Sequence, residues 1–319
     1  MSKQNWRPIA GPQVAGNRAA MLQRSRQFFI DQEVMEVDTS ALSKFAVTDP
    51  HIESLSARSA MEPELFLHTS PEYKMKRLLA AGFGDIYQIC KVFRDGEQGR
   101  YHLPEFTLVE WYRLNFGLQE MIRDTIGFIA ATLDRPELAS SPMTLSYEDA
   151  FRHSANFSPQ TVGVAELADY IGADDQLRKA IGNNRDEWLD LVLAERIVPD
   201  FARDKLTVIY HYPASQAALA RICPDDANVA DRFEVFYGSL ELANGFVELA
   251  DAEEQISRFE RDRFARRRNN TADHHVDEDF INALRAGLPP CSGVAVGFDR
   301  LLMLHEDQDD ISAVTSFIY

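Results

Sequence analysis

The amino-acid sequence predicts an α+β fold in which helices flank a largely antiparallel sheet. Segments of strand composition follow one another along the chain, and helical segments are interspersed with them instead of alternating strictly, as in α+β proteins. The 319 residues are 45% hydrophobic and 26% charged, and no Pro/Gly/Ser-rich linker divides them. This composition is typical of a packed core, so we expect one folded domain over residues 1–319 and exclude disorder as its main state.

Apolar spacing and capping residues mark the N-terminal elements. A helix is predicted after Asn17, and a short strand at residues 34–37 follows it. The next helix has clear limits, because Ser70 suits the N-cap, Pro71 suits the first turn and Gly82 suits the C-terminal end.

Two strands joined by a long polar loop come next. Residues 85–94 and 106–112 are rich in β-branched and aromatic residues, and the loop at 95–101 is longer than a tight hairpin requires. Loops of this kind are often functional. We therefore expect an antiparallel pair with a functional loop.

The rest of the chain continues the same mixture of elements. Helices are predicted at residues 118–133, 188–197, 251–268 and 299–304, and strands at 206–210, 233–237, 240–249 and 294–296. The stretch from 140 to 203 is mostly helical in pattern, and we interpret it as an insertion in the single domain.

The charge balance bears on the class of partner. Lys and Arg number 33 against 50 Asp and Glu, a formal charge of −17. Proteins that bind many phosphates of a nucleic acid need a basic face, so nucleic acid is not the expected partner. We expect cationic or neutral partners instead.

Cysteine use and hydropathy indicate the compartment. Cys90, Cys223 and Cys291 are odd in number and far apart without a C-x-x-C spacing, which suggests neither a disulfide framework nor a thiolate zinc site. No stretch approaches the roughly 18–20 apolar residues of a membrane span, and the N-terminus has no signal-peptide pattern. We expect a soluble cytoplasmic protein with no membrane partner.

The first candidate site lies at the loop between the paired strands. Arg94 ends the first of these strands, where a cation projecting from rigid backbone is well placed to bind a phosphate and to neutralise charge developing on it. The alternative is an edge arginine paired with a surface acid.

The second candidate site is the segment 238–249. Glu241 and Glu248 would lie on opposite faces of a strand unless a bulge intervenes, and Asn244-Gly245 suits a bulge. Carboxylates with an amide between them can hold Mg²⁺ or an ammonium group. The alternative is a solvated strand edge.

The third candidate site is the segment 293–304. Gly293 and Gly297 interrupt an apolar strand, which indicates a backbone that approaches a ligand closely, and Arg300 follows at a helix start that suits a triphosphate. A dinucleotide fingerprint and a P-loop are both absent from the sequence. The alternative is a buried strand with a salt bridge at the helix entry.

Together the three segments resemble the class II aminoacyl-tRNA synthetases over residues 17–319. Phe-Arg-Asp at 93–95 resembles motif 2, and Gly-Val-Ala-Val-Gly-Phe-Asp-Arg at 293–300 resembles motif 3. Ser-Pro-Glu-Tyr at 70–73, Pro-Glu-Phe-Thr at 104–107 and Glu-Leu-Ala-Asn-Gly at 241–245 are similar to the lysyl-tRNA synthetase branch.

The resemblance implies a paralogue without the anticodon-binding barrel, because only Met1 to Thr69 precede the Ser-Pro-Glu-Tyr segment. Such paralogues use ATP and Mg²⁺ to activate lysine or (R)-β-lysine as an adenylate and attach it to a lysine of elongation factor P. Two alternatives remain: a trimmed lysyl-tRNA synthetase that charges tRNA, and a non-catalytic regulator that binds an amino acid or nucleotide. The family also implies a homodimer, although Ser40 stands where motif 1 normally has proline.

The resemblance also implies roles for individual residues in ATP binding. Arg94 would stabilise the α-phosphate, Arg300 would hold the γ-phosphate, and Phe106 would stack on adenine. Glu241 would bind Mg²⁺ with Glu248 as a second ligand. The remaining ATP contacts are assigned to Asp95, Gly96, Glu97, Leu103, Leu242 and Gly297.

The implied amino-acid site is acidic and phenolic, which suits a substrate with two ammonium groups. Its residues are Ser70, Pro71, Glu72, Tyr112, Asn244, Glu248 and Ala295. Ala295 replaces a glycine of lysyl-tRNA synthetases, and its methyl group would favour the β-isomer by crowding the α-ammonium of lysine. Motif 2 departs from the family pattern at Gly96, where Glu is usual, and at Leu103, where Asn is common.

Overall fold

The computed structural model describes residues 6–62 and 64–318 and confirms the α+β class. The chain divides into two compact units. The first comprises Met1–Phe116, Ala131–Arg135 and Ala250–Tyr319, and the second comprises Gly117–Ala130 and Pro136–Leu249. The proposal of a single domain over residues 1–319 stays a prediction.

The first unit contains four neighbouring strands and a small separate sheet. Its helices are α1 (Pro12–Ile30), α2 (Glu72–Ala80), α8 (Ala252–Arg268), α9 (Glu278–Gly287) and α10 (Phe298–His305). Its strands are β1 (Met35–Glu36), β2 (Leu42–Ser43), β3 (Ser56–Ala57), β4 (Leu65–Leu67), β5 (Ile86–Phe93), β6 (Glu105–Leu114) and β11 (Cys291–Gly297). The strand order is β1-β5-β6-β11, with β1 parallel to β5 and the other pairs antiparallel. A second sheet has the order β2-β4-β3.

Helix α1 covers one face of β5 and β6. The ring of Phe29 stacks on Tyr87 at 4.0 Å between centroids and meets Trp111 edge-on at 5.3 Å, and all three side chains are buried. Side chains alternate along a strand, so Glu110 points to the opposite face from Trp111. That opposite face therefore carries the candidate site residues of β6.

The second unit contains helices and the other strands of the fold. Its elements are α3 (Leu118–Leu133), whose last residues fall in the first unit, β7 (Met143–Ser146), α4 (Tyr147–Ala155), α5 (Val164–Ile171), α6 (Asp175–Ile181), α7 (Arg185–Val192), β8 (Leu206–Pro213), β9 (Val229–Tyr237) and β10 (Leu240–Val247). The strand order is β10-β9-β8-β7, with β7 parallel to β8 and the others antiparallel. Helices α4 to α7 pack a core that includes Phe151 and Trp188 against Phe236 of β9.

Several predicted boundaries were wrong. Helix α1 begins at Pro12 instead of after Asn17, because Gly11 is its N-cap and proline suits the first helical position. The helix predicted at 188–197 begins at Arg185 and ends at Val192, where a π-helical turn continues to Ile197.

Other elements were not predicted at all. Strands β2 and β3 have two residues each, too few to show a period. Helix α9 carried a readable signal, since Asp277 caps it and Phe280, Ile281 and Leu284 form a buried stripe. Within the described ranges, no helix combines the length and apolar character that crossing a bilayer requires.

Candidate active site

Arg94 lies directly after β5, with its side chain over an aromatic ring. The guanidinium carbon is 5.1 Å from the ring centroid of Phe106, in cation–π geometry. Its Nε donates to the Thr69 carbonyl at 3.4 Å, and its Nη1 lies 3.5 Å from Glu97 Oε1. About a quarter of the Arg94 side chain remains exposed, which leaves the cation accessible to an anion.

The loop after Arg94 explains the departure from the family pattern. Gly96 has φ +75°, a left-handed conformation that glycine adopts without strain and glutamate does not. Its N–H donates to Asp95 Oδ1 at 2.9 Å, and the next residue, Glu97, contacts Arg94. Glu97 therefore places a carboxylate beside Arg94, one residue after Gly96. Leu103 is buried, so its side chain packs within the protein.

Arg300 extends from the first turn of α10 to the same loop. Its Nη2 donates to His102 Nε2 at 2.6 Å, and its Nε donates to the Tyr101 carbonyl at 3.4 Å. The preceding residue, Asp299, is buried and accepts a hydrogen bond from the Thr107 N–H at 2.7 Å. Asp299 also pairs with Arg18 of α1. These bonds hold the start of α10 against β6.

Gly297 is the N-cap of α10. It was predicted to let the backbone approach a ligand closely, but no neighbouring atom of the chain requires a glycine at this position. A Cβ added there would meet the Arg300 side chain at 3.5 Å, which is ordinary van der Waals contact. The position therefore tolerates a side chain as far as the protein's own atoms are concerned.

The start of α2 and the middle of β6 form an acidic cluster. Ser70 Oγ accepts from the Glu72 N–H at 3.0 Å and donates to Glu110 Oε2 at 2.7 Å, and the Tyr112 hydroxyl donates to Glu110 Oε1 at 2.8 Å. Glu72 Oε1 accepts from the buried Lys76 ammonium at 2.6 Å. Pro71 precedes Glu72 as the N-cap of α2, one residue later than predicted.

Burial and the charge of Glu72 raise the pKa of Glu110 to about 7, against the pull of Ser70, Tyr112 and Lys76 toward lower values. The carboxyl group is 2% exposed, so its ionised form is poorly solvated. A cation bound here would stabilise that form.

Glu110 was not among the site residues predicted from the sequence, and neither was Glu234 of β9. Glu110 belongs to Val109-Glu110-Trp111-Tyr112, and an acid in the middle of an apolar and aromatic strand was the available signal. In the register of β6 and β11 it is paired with Ala295. Paired residues of an antiparallel sheet point to the same face, so the Ala295 methyl group lies on the face of the acidic cluster.

A second group of predicted site residues lies in the second unit, on β10 and directly after it, beside β9. The register pairs Glu241 with Phe236 and Asn244 with Glu234, and a bulge lies between Glu241 and Ala243. Alternation along β9 then places Glu241, Asn244 and Glu234 on one face. The bulge exists, but its predicted location at Asn244-Gly245 was wrong.

This face carries a buried charge network. Arg232 donates to Glu234 Oε1 at 2.6 Å and to Asn244 Oδ1 at 3.3 Å, and the Tyr212 hydroxyl donates to Glu234 Oε2 at 2.7 Å. Burial raises the pKa of Glu234, Arg232 opposes the shift, and the charge of Glu241 adds to it. A buried carboxyl group beside a second carboxylate forms a suitable site for a cation.

Two other predicted residues of this segment are buried. Leu242, inside the bulge, is 1% exposed. Glu248 follows the end of β10, is also buried, and its backbone forms a bridge with Ala220. Continued alternation from Asn244 places Glu248 on the face of Glu241, as a bulge requires.

Comparison with known proteins places these features in a family. Residues 12–318 match the family model of tRNA synthetases class II (D, K and N). The chain is 44% identical over 320 residues to an elongation factor P--(R)-beta-lysine ligase of Hamiltonella defensa, covering 98% of this chain and 97% of the relative.

Two further relatives carry the same name. The protein of Avibacterium paragallinarum is 42% identical over 322 residues, covering 99% of this chain and 98% of the relative. The protein of Haemophilus ducreyi is 41% identical over 328 residues, covering 99% and 97%. The chain therefore belongs to the class II tRNA synthetase family, as a relative of these ligases within it.

Proposed function

We propose that the protein is an AMP-forming ligase that activates (R)-β-lysine with ATP and transfers it to the ε-amine of a lysine on elongation factor P. The observation that carries the proposal is the buried carboxyl group of Glu110, held by Ser70 and Tyr112 with Glu72 nearby. Two acids suit a diamine, and the relatives of near full length are named for this reaction.

The proposed first step is adenylate formation. The amino-acid carboxylate attacks the α-phosphate of ATP, and pyrophosphate leaves with the electron pair of the broken P–O bond. Arg94 neutralises charge developing on the α-phosphate, and Arg300 binds the γ-phosphate. Phe106 provides a ring for stacking on adenine, and it already stacks with Arg94. Further contacts are proposed for Asp95, Gly96, Glu97, Leu103 and Gly297, and Leu242 as an ATP contact stays a prediction.

A divalent cation fits the carboxylates of β9 and β10. Glu241 and Glu234 share a face, and the charge of Glu241 raises the pKa of Glu234, so positive charge there relieves their repulsion. Oxygen ligands of this kind suit Mg²⁺, which when bound neutralises phosphate charge. We propose Glu241 and Glu234 as its ligands, and Glu248 as a ligand stays a prediction.

We propose that the amino acid is recognised by acidic side chains that bind its ammonium groups, in a site of limited width. Glu72 and Glu110 bind ammonium groups, with Ser70, Pro71 and Tyr112 shaping the site. Asn244 and Glu248 as contacts of the amino acid stay predictions. The methyl group of Ala295 narrows the site beside Glu110. Crowding of the α-ammonium of lysine then favours the β-isomer.

The proposed second step forms an amide. The ε-amine of the acceptor lysine attacks the acyl carbon of the adenylate, AMP leaves with the electron pair of the C–O bond, and the amine loses a proton. Elongation factor P as acceptor places the reaction in the cytoplasm. We also propose that the protein forms the homodimer of the family. Ser40 stands where the family usually has proline, and its hydroxyl accepts a hydrogen bond from the Lys74 ammonium of the same chain at 2.9 Å.

ATP–pyrophosphate exchange tests the activation step. Exchange is expected with (R)-β-lysine, more weakly with lysine, and not with Arg94→Ala, while Arg123→Ala, an exposed arginine of α3, serves as the matched control. Absence of exchange with every amino acid would support a non-catalytic binding protein. Transfer of the activated group to tRNA instead of elongation factor P would support a trimmed lysyl-tRNA synthetase.

A further inference from the structure

Three side chains of the second unit bring metal-ligating atoms together away from the residues discussed above. His211, Cys223 and Asp231 each offer one such atom, and these atoms all lie within 4.8 Å of one another. Cys223 and Asp231 are buried, and His211 is half-buried. The cluster combines a thiol, an imidazole and a carboxyl group.

A bulge in β9 lies opposite the histidine. The register of β8 against β9 shifts between Tyr210 and Tyr212, where Arg232 and Asp231 of β9 lie opposite the single residue His211. The φ of His211, +59°, is uncommon for a residue with a side chain. Bulges re-aim side chains relative to the regular alternation of a strand. Here the ring Nε2 lies 3.4 Å from Asp231 Oδ1.

A short antiparallel pairing brings the cysteine to the aspartate. Ile222 bridges Ala230, the Cys223 N–H donates to the Val229 carbonyl at 2.9 Å, and the Asp231 N–H donates to the Arg221 carbonyl at 3.0 Å. Arg221 thus lies opposite Asp231, so their side chains share a face. Cys223 is two residues after Arg221 and therefore lies on the same face. The backbone therefore presents Cys223 and Asp231 on the same side.

Arg221 holds the second oxygen of the aspartate. Its Nε donates to Asp231 Oδ2 at 2.8 Å, while Oδ1 faces His211. Carboxylates that ligate metals are usually fixed in this way by a hydrogen bond to the other oxygen. The Arg221 guanidinium therefore orients the carboxyl group of Asp231 while Oδ1 stays available to bind a metal ion.

The cluster is separate from the proposed magnesium ligands. Asp231 contacts His211 and Arg221, whereas the next residue, Arg232, bonds Glu234 and Asn244. The carboxyl groups of Asp231 and Glu234 therefore belong to different contact networks.

We propose that His211, Cys223 and Asp231 bind one zinc ion, with water at the fourth position. Sulfur and nitrogen ligands favour Zn²⁺, whereas Mg²⁺ prefers oxygen ligands alone. The cysteine binds as thiolate, so binding releases its proton to solvent. The ion would join His211 of β8 to the pairing around Ile222, independently of the ligase activity. The cysteine spacing alone had not suggested such a site.

The test uses the full-length protein after treatment with a chelator and without ATP. Zn²⁺ is expected to bind at one equivalent and to raise the thermal midpoint, and Co²⁺ is expected to give a thiolate-to-cobalt absorption band. Cys223→Ser should lose the band and weaken Zn²⁺ binding by about tenfold or more. His211→Asn should weaken binding similarly, while Cys90→Ser should retain both properties.

Absence of stoichiometric Zn²⁺ binding, or an unchanged cobalt band in Cys223→Ser, would overturn the proposal. Alkylation of the unsubstituted protein covers the case in which that variant fails to fold. Zn²⁺ should then protect Cys223 and leave labelling of Cys90 unchanged, as measured by peptide mass spectrometry. Equal labelling of Cys223 with and without Zn²⁺ would also contradict the site.

Discussion

Arg300 donates a hydrogen bond of 2.6 Å from Nη2 to Nε2 of His102, which joins the start of α10 to the loop between β5 and β6. The imidazole accepts this bond, so it orients the guanidinium that we propose for the γ-phosphate. His102 is exposed and accessible to substitution without disturbing the core.

Replacing His102 with alanine should therefore weaken ATP binding. A hydrogen bond to a charged group contributes about 1.5–3 kcal/mol, so the KM for ATP is expected to rise about tenfold or more. The KM for the amino acid should stay unchanged. Steady-state exchange kinetics measure both, with the exposed His275→Ala as control. Equal changes in both constants would argue against a specific role in orienting Arg300.

Glu110 should make stability depend on pH. Burial, followed by repulsion from Glu72, raises its pKa from 4.5 to about 7, so folding favours the protonated form. This contribution to stability is complete below the unfolded pKa and is lost as the pH rises through the folded pKa, at most on the order of 3 kcal/mol. In urea unfolding, the free energy of unfolding of Glu110→Gln should fall less between pH 5 and 8 than that of the unsubstituted protein.

Glu110 should also make substrate binding stronger as the pH rises, whereas its contribution to stability falls. The reason is that an ammonium group binds the ionised carboxyl group. The KM for (R)-β-lysine should fall as the pH rises through about 7. Glu110→Gln should raise this KM and flatten its profile. Glu166→Gln, an exposed acid of α5, is the control. A profile that Glu110→Gln leaves unaltered would remove Glu110 from the amino-acid site.

Ala295 should determine the preference between isomers. Its pairing with Glu110 places its methyl group beside the acidic cluster, and Ala295→Gly removes that group. A single methyl group changes discrimination by about 10–200-fold, so the ratio of kcat/KM for lysine over (R)-β-lysine should rise about tenfold. Exchange assays with both isomers give the ratio. An unchanged ratio in a folded variant would refute the steric argument.

Glu241 and Glu234 should determine the magnesium requirement. Glu241→Gln and Glu234→Gln each remove one proposed oxygen ligand, so the Mg²⁺ concentration for half-maximal exchange should rise about tenfold or more. Glu166→Gln again serves as control in the same unit. Magnesium dependence equal to that of the unsubstituted protein in both variants would contradict the assignment.

Local signals in the sequence predicted many elements well. Helix α8 runs from Ala252 to Arg268 as expected, because Asp251 caps it by accepting from the N–H groups of Glu253 and Glu254, both at 2.9 Å. The antiparallel pair of β5 and β6 was predicted from β-branched and aromatic composition. In both cases the determining interactions lie within a few residues of one another.

Register and burial were harder to predict, because they depend on contacts between distant residues. The position of the bulge near Glu241 depends on how β10 pairs with β9, and the residues of β10 alone do not determine that pairing. Glu110 has a raised pKa because of burial and the charge of Glu72, and its hydrogen-bond donor Ser70 lies forty residues earlier in the chain. The metal-ligating cluster likewise joins His211, Cys223 and Asp231 through the pairing of separate segments, with a bulge in β9 opposite His211.

The mass of elongation factor P after incubation with the protein, ATP, Mg²⁺ and (R)-β-lysine tests the proposed ligase activity. We expect an increase of one lysyl residue, located by peptide mapping on a single lysine, and no increase with Arg94→Ala. An unmodified factor under conditions that support pyrophosphate exchange, or acylation of tRNA in its place, would contradict the proposed activity.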